Sequence, residues 1–183
     1  VDRNGREQWR YEGSIESQHV ALGRFREDVP GLQVAGVDQI QRGDGRKGRT
    51  GGKDALFLLD ARGTEWWKED RKTPGWLTII STLRHWDDGP LDYILAYRRG
   101  GGVLPTIYDG YLNEVAVFPV DGYAEHGDLT GSGQEQVLIY DHSSVWIFGH
   151  RQMELVAARP GVTLPQPKRL SHSTLYPGGE YWG

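Results

Sequence analysis

The sequence predicts an all-β fold, and three observations lead to that expectation. The 183 residues, about one domain in length, include 26 glycines and 9 prolines, so turns are frequent without reaching the level of low-complexity sequence. Aromatic residues are plentiful, with 7 Trp, 9 Tyr and 4 Phe against a single Met, which favours cross-strand packing over a helix bundle. Short alternating apolar runs bounded by Gly, Asp and Pro recur along the chain.

Composition also excludes several classes of protein. Lys plus Arg number 21 and Asp plus Glu 25, and this net charge of −4 disfavours a nucleic-acid partner because phosphate binding needs excess positive charge. The absence of Cys excludes thiol catalysis and Cys-ligated zinc. The apolar runs are short, so we expect no membrane-spanning helix and no signal peptide, although a chain that starts at Val1 suggests a processed or excised piece.

An internal repeat predicts the architecture. A turn that begins with Asp and leads into an aromatic strand recurs in VDRNGREQW, LLDARGTEWW, IYDGYLNEVAVF and IYDHSSVWIF. An Asp is expected to open each turn by bonding nearby backbone, at Asp2, Asp60, Asp109 and Asp141. The strands after the turns are expected to carry aromatic side chains into the core, at Trp9, Trp66 and Trp146.

Strand-like runs before these hairpins complete units of four antiparallel strands, which predicts β-propeller blades, about three to four of them in this chain. The predicted boundaries are residues 1–10 for the outer hairpin of one blade, residues 18–67, 77–120 and 123–150 for the blades, and residues 151–183 for an extended C-terminal strap. Because propellers close with about four to eight blades, we expect blades upstream of Val1, with a second chain or an irregular closure as alternatives. An ordinary meander or sandwich is the competing fold.

Several stretches resemble a known family. The strings LFLLDARGTEWWKEDRKTPGWLTII, LDYILAYRRGGGVLPTIYDGYLN and HGDLTGSGQEQVLIY are similar to the C-terminal part of secreted β-propeller polysaccharide lyases, namely rhamnogalacturonan lyases and the related enzymes that release unsaturated glucuronate next to rhamnose. The resemblance covers nearly the whole chain from about residue 17. It implies an extracellular protein that cleaves an acidic plant polysaccharide by β-elimination.

That chemistry needs a cation beside the uronate carboxylate, a base for the proton α to it, and an acid for the leaving oxygen. Histidine suits proton transfer near neutral pH. Three histidines fall at the predicted innermost strands and are the candidate catalytic residues: His19, His85 and His126. A structural histidine bonded to a neighbouring blade is the alternative for each of them.

Candidate substrate-binding residues follow from charge and ring chemistry. Arginines at strand ends and in the glycine-rich insertion QRGDGRKGRTGGK could bind uronates, at Arg24, Arg84, Arg98 and Arg46. The alternatives are pairing on the sheet face for Arg98 and a solvated surface loop for the insertion. Two aromatic side chains expected to be exposed could stack on sugar rings, at Trp86 and Tyr108.

A metal site is only weakly encoded. The resemblance implies calcium, and HGDLTGSGQEQ has the outline of a calcium loop, with Asp128, Thr130, Ser132 and Gln134 at alternate positions. Only Asp128 among these four is a carboxylate, whereas calcium usually takes several oxygen ligands with more than one negative charge. We expect a loop that kept its turn and lost its metal. The pair Asp87 and Asp88 reads equally well as a hairpin turn. The functional alternative to a lyase is a non-catalytic propeller that binds carbohydrate or protein.

Overall fold

A computed structural model describes residues 1–41, 53–70, 77–99 and 101–150 of the chain. These residues form eleven β-strands and no helix, which confirms the predicted all-β class; no segment among them is therefore a helix that could cross a membrane. The strands are β1 Ser17–Gly23, β2 Gln33–Gln41, β3 Lys53–Leu59, β4 Glu65–Asp70, β5 Ile79–Leu83, β6 Tyr93–Tyr97, β7 Thr106–Tyr108, β8 Glu114–Val117, β9 Tyr123–Gly127, β10 Gln136–Tyr140 and β11 Val145–Phe148. The predicted strap at 151–183 and the cationic insertion at residues 42–52, with Arg46, lie outside the described residues.

The strands form three antiparallel sheets in chain order. Sheet 1 is β1-β2-β3-β4, sheet 2 is β5-β6-β7-β8, and sheet 3, within the described ranges, is β9-β10-β11. Each strand pairs with its neighbour in sequence, so the sheets are meanders. Sheets 1 and 2 thus have the four strands expected of each repeating unit.

Sheet 2 lies between sheets 1 and 3. A first hydrophobic cluster joins sheet 1 to sheet 2 through buried side chains that include Val37, Leu58, Ile80 and Ile94. A second cluster joins sheet 2 to sheet 3 through Ile79, Leu95, Val137 and Ile139. Because successive residues of a strand point to opposite faces, the neighbours Ile79 and Ile80 serve different clusters. The core is therefore two sheet-on-sheet layers with sheet 2 in the middle.

The structure confirms that Asp opens the repeated turns. Asp60 Oδ1 accepts hydrogen bonds from the backbone N–H groups of Arg62 at 2.8 Å and Thr64 at 2.9 Å. Burial acts to raise the pKa of Asp60, but these hydrogen bonds outweigh it and hold the pKa below its usual value. Asp2 and Asp109 likewise bind the N–H groups two and four residues on. Asp141 binds those two and three residues on, in a tighter turn between β10 and β11. The repeat seen in the sequence is thus a repeat of turn chemistry.

Candidate functional site

One end of the stack gathers the loops between the first and second strands of the three sheets, residues 24–32, 84–92 and 128–135. We call it the loop end. There Asp92 Oδ2 accepts a hydrogen bond from Arg24 N at 2.7 Å, and Asp92 N donates to Arg24 O at 2.9 Å. These two bonds, which we call a carboxylate clasp, tie the end of β1 to the loop of sheet 2.

A second carboxylate clasp ties the end of β5 to the loop of sheet 3. Glu135 Oε2 accepts a hydrogen bond from Arg84 N at 2.8 Å, and Glu135 N donates to His85 O at 3.0 Å. Asp92 and Glu135 each stand directly before the second strand of their sheet, so the two clasps lie at equivalent positions. The first closes on Arg24 alone, whereas the second spans Arg84 and His85.

The second clasp differs from the first because its carboxylate also binds a histidine. His126 Nδ1 lies 2.9 Å from Glu135 Oε2, and since a carboxylate only accepts, Nδ1 donates. The His126 side chain is 5% exposed and that of Glu135 20%. A carboxylate on Nδ1 fixes the ring's orientation and directs its acid–base chemistry to Nε2.

His85 stands beside this pair with an unusual backbone. Its φ is +50°, in the left-handed region that few residues other than glycine adopt, and its side chain is exposed. Backbone held in this region is often found at functional sites, because the surrounding structure must enforce it. Here the second clasp supplies that constraint, since it binds the carbonyl of His85 and the N–H of Arg84.

The loop end therefore brings together four of the residues that the sequence singled out: Arg24, Arg84, His85 and His126. In the two arginines, backbone atoms make the clasps while the side chains are exposed. His19 lies in the first half of β1, which runs toward the loop end, so it is nearer the opposite end. Arg98 follows β6 at that opposite end and is 6% exposed. The candidate residues thus fall into two groups at different ends of the sheets.

The expectation that Trp86 and Tyr108 are exposed is wrong. Trp86 is 4% exposed and meets Phe118 edge-on, with ring centroids 6.3 Å apart, in the layer between sheets 2 and 3. Tyr108 is 3% exposed and belongs to the layer between sheets 1 and 2. Both rings contribute apolar area to the core, which leaves no open face on which a sugar could stack.

The expectation of buried hairpin tryptophans is wrong for two of the three. Trp9 is 39% exposed and Trp66 42%, whereas Trp146 packs against the second cluster. The pairing of β3 with β4 shifts by one residue at Trp66, which forms a β-bulge. A bulge redirects side chains, so Trp67 packs in the core while Trp66 remains on the surface.

Trp66 belongs to a surface cluster that sequence reasoning missed. The guanidinium carbon of Arg26 lies 5.1 Å from the ring of Trp66 and 4.1 Å from that of Tyr111, which is 47% exposed. Asp28 accepts two hydrogen bonds from Arg26, at 2.9 and 2.6 Å. This bidentate pair raises the pKa of Arg26 and lowers that of Asp28. The result is a rigid, charge-compensated aromatic surface at the loop end, which we call the aromatic platform.

The residues of the loop at 128–135 do not fit a calcium ion. Both carboxylate oxygens of Asp128 accept backbone N–H groups, from Ser132 at 2.9 Å and Gly133 at 2.8 Å. The side-chain oxygen of Gln136 accepts the N–H groups of Leu129 and Thr130. Across the described residues no three His, Cys, Asp or Glu side chains group as metal ligands would. Side-chain oxygens close this loop in the way that an ion would otherwise do.

Comparison of the chain with protein-family models, with curated proteins and with solved structures finds no match. The description of the site therefore depends on its own geometry. Glu135 is the residue that sequence reasoning missed at the loop end. A signal for it existed, because an acidic residue stands directly before the second strand in both DYIL and EQVL.

Proposed function

We propose that this chain is part of a β-propeller polysaccharide lyase that cleaves a rhamnose- and uronate-containing acidic polysaccharide by β-elimination at the loop end. Three sheets stacked face to face, with equivalent clasps between them, support the propeller. The resemblance of the sequence to secreted lyases supports the reaction and an extracellular location. The observation that carries the site is the exposed, left-handed His85 held beside Arg84 by the Glu135 clasp.

The loop end offers the groups that this reaction needs. A uronate carboxylate is matched by the exposed guanidinium groups of Arg84 and Arg24, which bind such a group through paired hydrogen bonds and neutralise it in the transition state. The base removes the proton from the carbon α to the carboxylate and a carbon–carbon double bond forms. The C–O bond to the neighbouring sugar breaks as its oxygen takes a proton from water. We assign the base to His85, whose side chain is exposed.

His126 and Glu135 are positioning residues in this proposal. Glu135 holds the backbone on both sides of the bond between Arg84 and His85, and His126 is bonded to the same carboxylate oxygen. Fixing the base and the guanidinium relative to each other lowers the entropy that must be lost in the transition state. A change at Glu135 should therefore act on turnover through His85 rather than through lost contact with the sugar.

The test is the ultraviolet absorbance of unsaturated uronate released from rhamnogalacturonan and from a glucuronate-capped plant gum. His85→Asn removes the imidazole and keeps a residue that tolerates left-handed backbone. We expect kcat to fall about 100-fold or more, the usual contribution of a general base, with unchanged circular dichroism. The matched control is His142→Asn, an exposed histidine in the turn of β10 and β11 at the opposite end; its turnover should equal that of the parent.

Two outcomes would redirect the proposal. If His19→Gln removes turnover and His85→Asn does not, the reaction takes place at the opposite end. If the folded protein releases no unsaturated product from either polymer, the lyase assignment is wrong.

A non-catalytic binding module is the second candidate, and the aromatic platform favours it. Trp66 and Tyr111 offer ring faces for the C–H face of a sugar, and the neutralised Arg26–Asp28 pair suits an uncharged sugar unit. Under this alternative, Trp66→Ala should weaken retention on immobilised polysaccharide about tenfold, as expected for one lost ring contact of about 1.4 kcal/mol, in a protein that shows no turnover.

A further inference from the structure

The face of sheet 1 that points away from sheet 2 exposes residues whose counterparts in sheet 3 are buried. Gly23 pairs with Gln33 and Gly127 pairs with Gln136, and each glutamine begins the second strand of its sheet. Counting back one residue from each glycine makes Leu22 equivalent to His126. Leu22 is 54% exposed, whereas His126 is buried against sheet 2 with 6% exposure. In sheet 1, this face has no sheet in front of β1 among the described residues.

Two residues further back, at the next position on the same face, the same difference appears. Val20 corresponds to Ala124, and their exposures are 52% and 2%. The face of sheet 3 that points away from sheet 2 also exposes apolar side chains, since Val145 and Ile147 of β11 are 63% and 55% exposed. The counterparts of Leu22 and Val20 in sheet 3 are thus covered where sheet 3 meets sheet 2.

The N-terminal residues show where a sheet in front of sheet 1 would lie. Asp2 forms the same turn as Asp60, and Trp9 stands as far after Asp2 as Trp67 stands after Asp60. The indole N–H of Trp67 donates to the carbonyl directly after the next turn's Asp, at Gly110, over 2.9 Å.

Trp9 makes the same contact one repeat earlier, since its Nε1 donates to Ala61 O at 3.0 Å. Residues 1–10 therefore occupy the place of the outermost strand of a sheet. In the ranges that the structure describes, no other strand of that sheet is present.

Three strands of a four-stranded sheet thus lie at one end of the stack, in sheet 3, and a segment placed like a fourth strand lies at the other end, in residues 1–10. Sheet 3 has first, second and third strands in its described part, and residues 1–10 have the contacts of a fourth. Sheets 1 and 2 separate them, so they cannot meet within one copy.

We propose that two copies of the chain associate head to tail, with the open face of sheet 3 in one copy packed on the β1 face of sheet 1 in the other, and residues 1–10 beside β11. Each interface repeats the sheet-on-sheet packing already present between sheets 1 and 2. A head-to-tail contact closes into a ring when its rotation allows, and two copies of three sheets fall within the four to eight blades of known propellers. The inference rests on the proposed ring of sheets and is independent of the lyase chemistry.

Light scattering after size exclusion tests it on the 183-residue chain. The expected mass is twice the 20.6 kDa of one chain. Ile147→Glu and Leu22→Glu each place a charge in both interfaces of the pair, so each variant alone should have the mass of one chain. Val117→Glu is the matched control, because Val117 is 47% exposed on the outer strand of the middle sheet and its mass should stay doubled.

Mixing the two variants separates this arrangement from a symmetric one. In a pair made of one Ile147→Glu copy and one Leu22→Glu copy, one interface carries both charges and the other carries none. The mixture should therefore recover the doubled mass, with Val145→Glu and Val20→Glu as replacements if either first variant loses its circular dichroism. The proposal is overturned by a parent protein with the mass of one chain, by variants that stay doubled, or by a mixture that stays single; turnover measured on the same samples reports on the lyase proposal separately.

Discussion

Both junctions between sheets contain a carboxylate clasp, but the groups around the carboxylate differ. At the first, Asp92 binds the backbone of Arg24, and the sheets approach so closely at the outer turn that Gly110 lies against the carbonyl of Phe25. At the second, the carboxylate of Glu135 also binds His126. The clasp at the second junction thus includes a histidine side chain, His126, in addition to the backbone groups.

The two junctions also differ in how they are closed. The first junction is closed by backbone contact and by Trp67, whose indole reaches Gly110. The second is filled by aromatic rings, with Phe118 and Phe148 centroids 4.9 Å apart, and its clasp supports an exposed histidine in left-handed backbone. Stability of the repeat and placement of the candidate base therefore depend on the same carboxylate.

Gly110→Ala should produce the largest effect, because it breaks the closer junction. A Cβ at this position would lie 2.2 Å from the carbonyl oxygen of Phe25, a backbone atom that cannot rotate away. We expect the free energy of unfolding to fall by about 3 kcal/mol, the upper part of the usual range for overpacking, as measured by urea denaturation.

The control for that change is Gly131→Ala. An added Cβ there meets nothing within 4 Å, but φ is +73°, so only the backbone cost applies. The expected loss is about 1 kcal/mol. Equal losses in the two variants would mean that the first junction is not held by close approach.

Local chemistry made much of this fold predictable. An Asp followed by a small or flexible residue specifies its turn through bonds within a few residues, so the turn at Asp60 could be inferred from the sequence. The exposure of Trp66 could not, because it depends on a one-residue shift in strand pairing. The pattern of alternation alone does not reveal such a shift.

The candidate site was only partly predictable for a related reason. His85 and His126 were inferred from their place near predicted strand ends, and the same reasoning chose His19, which lies toward the other end. The role of Glu135 depends on contact between two sheets, and no spacing in the sequence reports that contact. What joins the residues of this site is packing between repeats.

Removing each clasp should separate its structural part from its role at the site. Asp92→Ala and Glu135→Ala each remove a charged acceptor from a backbone N–H, which costs about 2 kcal/mol of unfolding free energy. Glu135→Ala should cost about 0.5 kcal/mol more, because the nearly buried His126 also loses its hydrogen bond to this carboxylate. Urea denaturation of both variants measures this.

The nitrogen resonances of His126 provide the second readout. They should change in Glu135→Ala and stay unchanged in Asp92→Ala, since Glu135 bonds Nδ1 of the ring and Asp92 belongs to the other clasp. If the two variants lose equal stability and leave His126 unchanged, the junctions do not differ in the way described.

The indole contacts allow a finer comparison between sheet 1 and its two neighbours. Trp67→Phe removes a hydrogen bond of 2.9 Å from a half-buried ring, and Trp9→Phe removes one of 3.0 Å from an exposed ring. We expect the free energy of unfolding to fall by about 1 kcal/mol in Trp67→Phe and by about 0.3 kcal/mol in Trp9→Phe, because water replaces the bond more easily at the exposed ring. If Trp9→Phe costs as much as Trp67→Phe, residues 1–10 are as firmly held as an inner strand.

The smallest effect concerns the loop that both clasps share. Tyr93, the first residue of β6, donates a hydrogen bond of 2.6 Å to Asp87 in this loop, residues 84–92. Burial together with this bond raises the pKa of Tyr93 from 10.0 to about 12. Since the phenol ionises at higher pH in the folded than in the unfolded state, its contribution to stability is complete below pH 10 and is lost as the pH rises toward 12. Tyr93→Phe should remove one late step from the ultraviolet titration of the tyrosines and increase amide exchange slightly, and equally, at Arg24 and Glu135. Unequal exchange would show that the loop holds the two junctions independently, so that the candidate base could be disturbed without any effect on the first clasp.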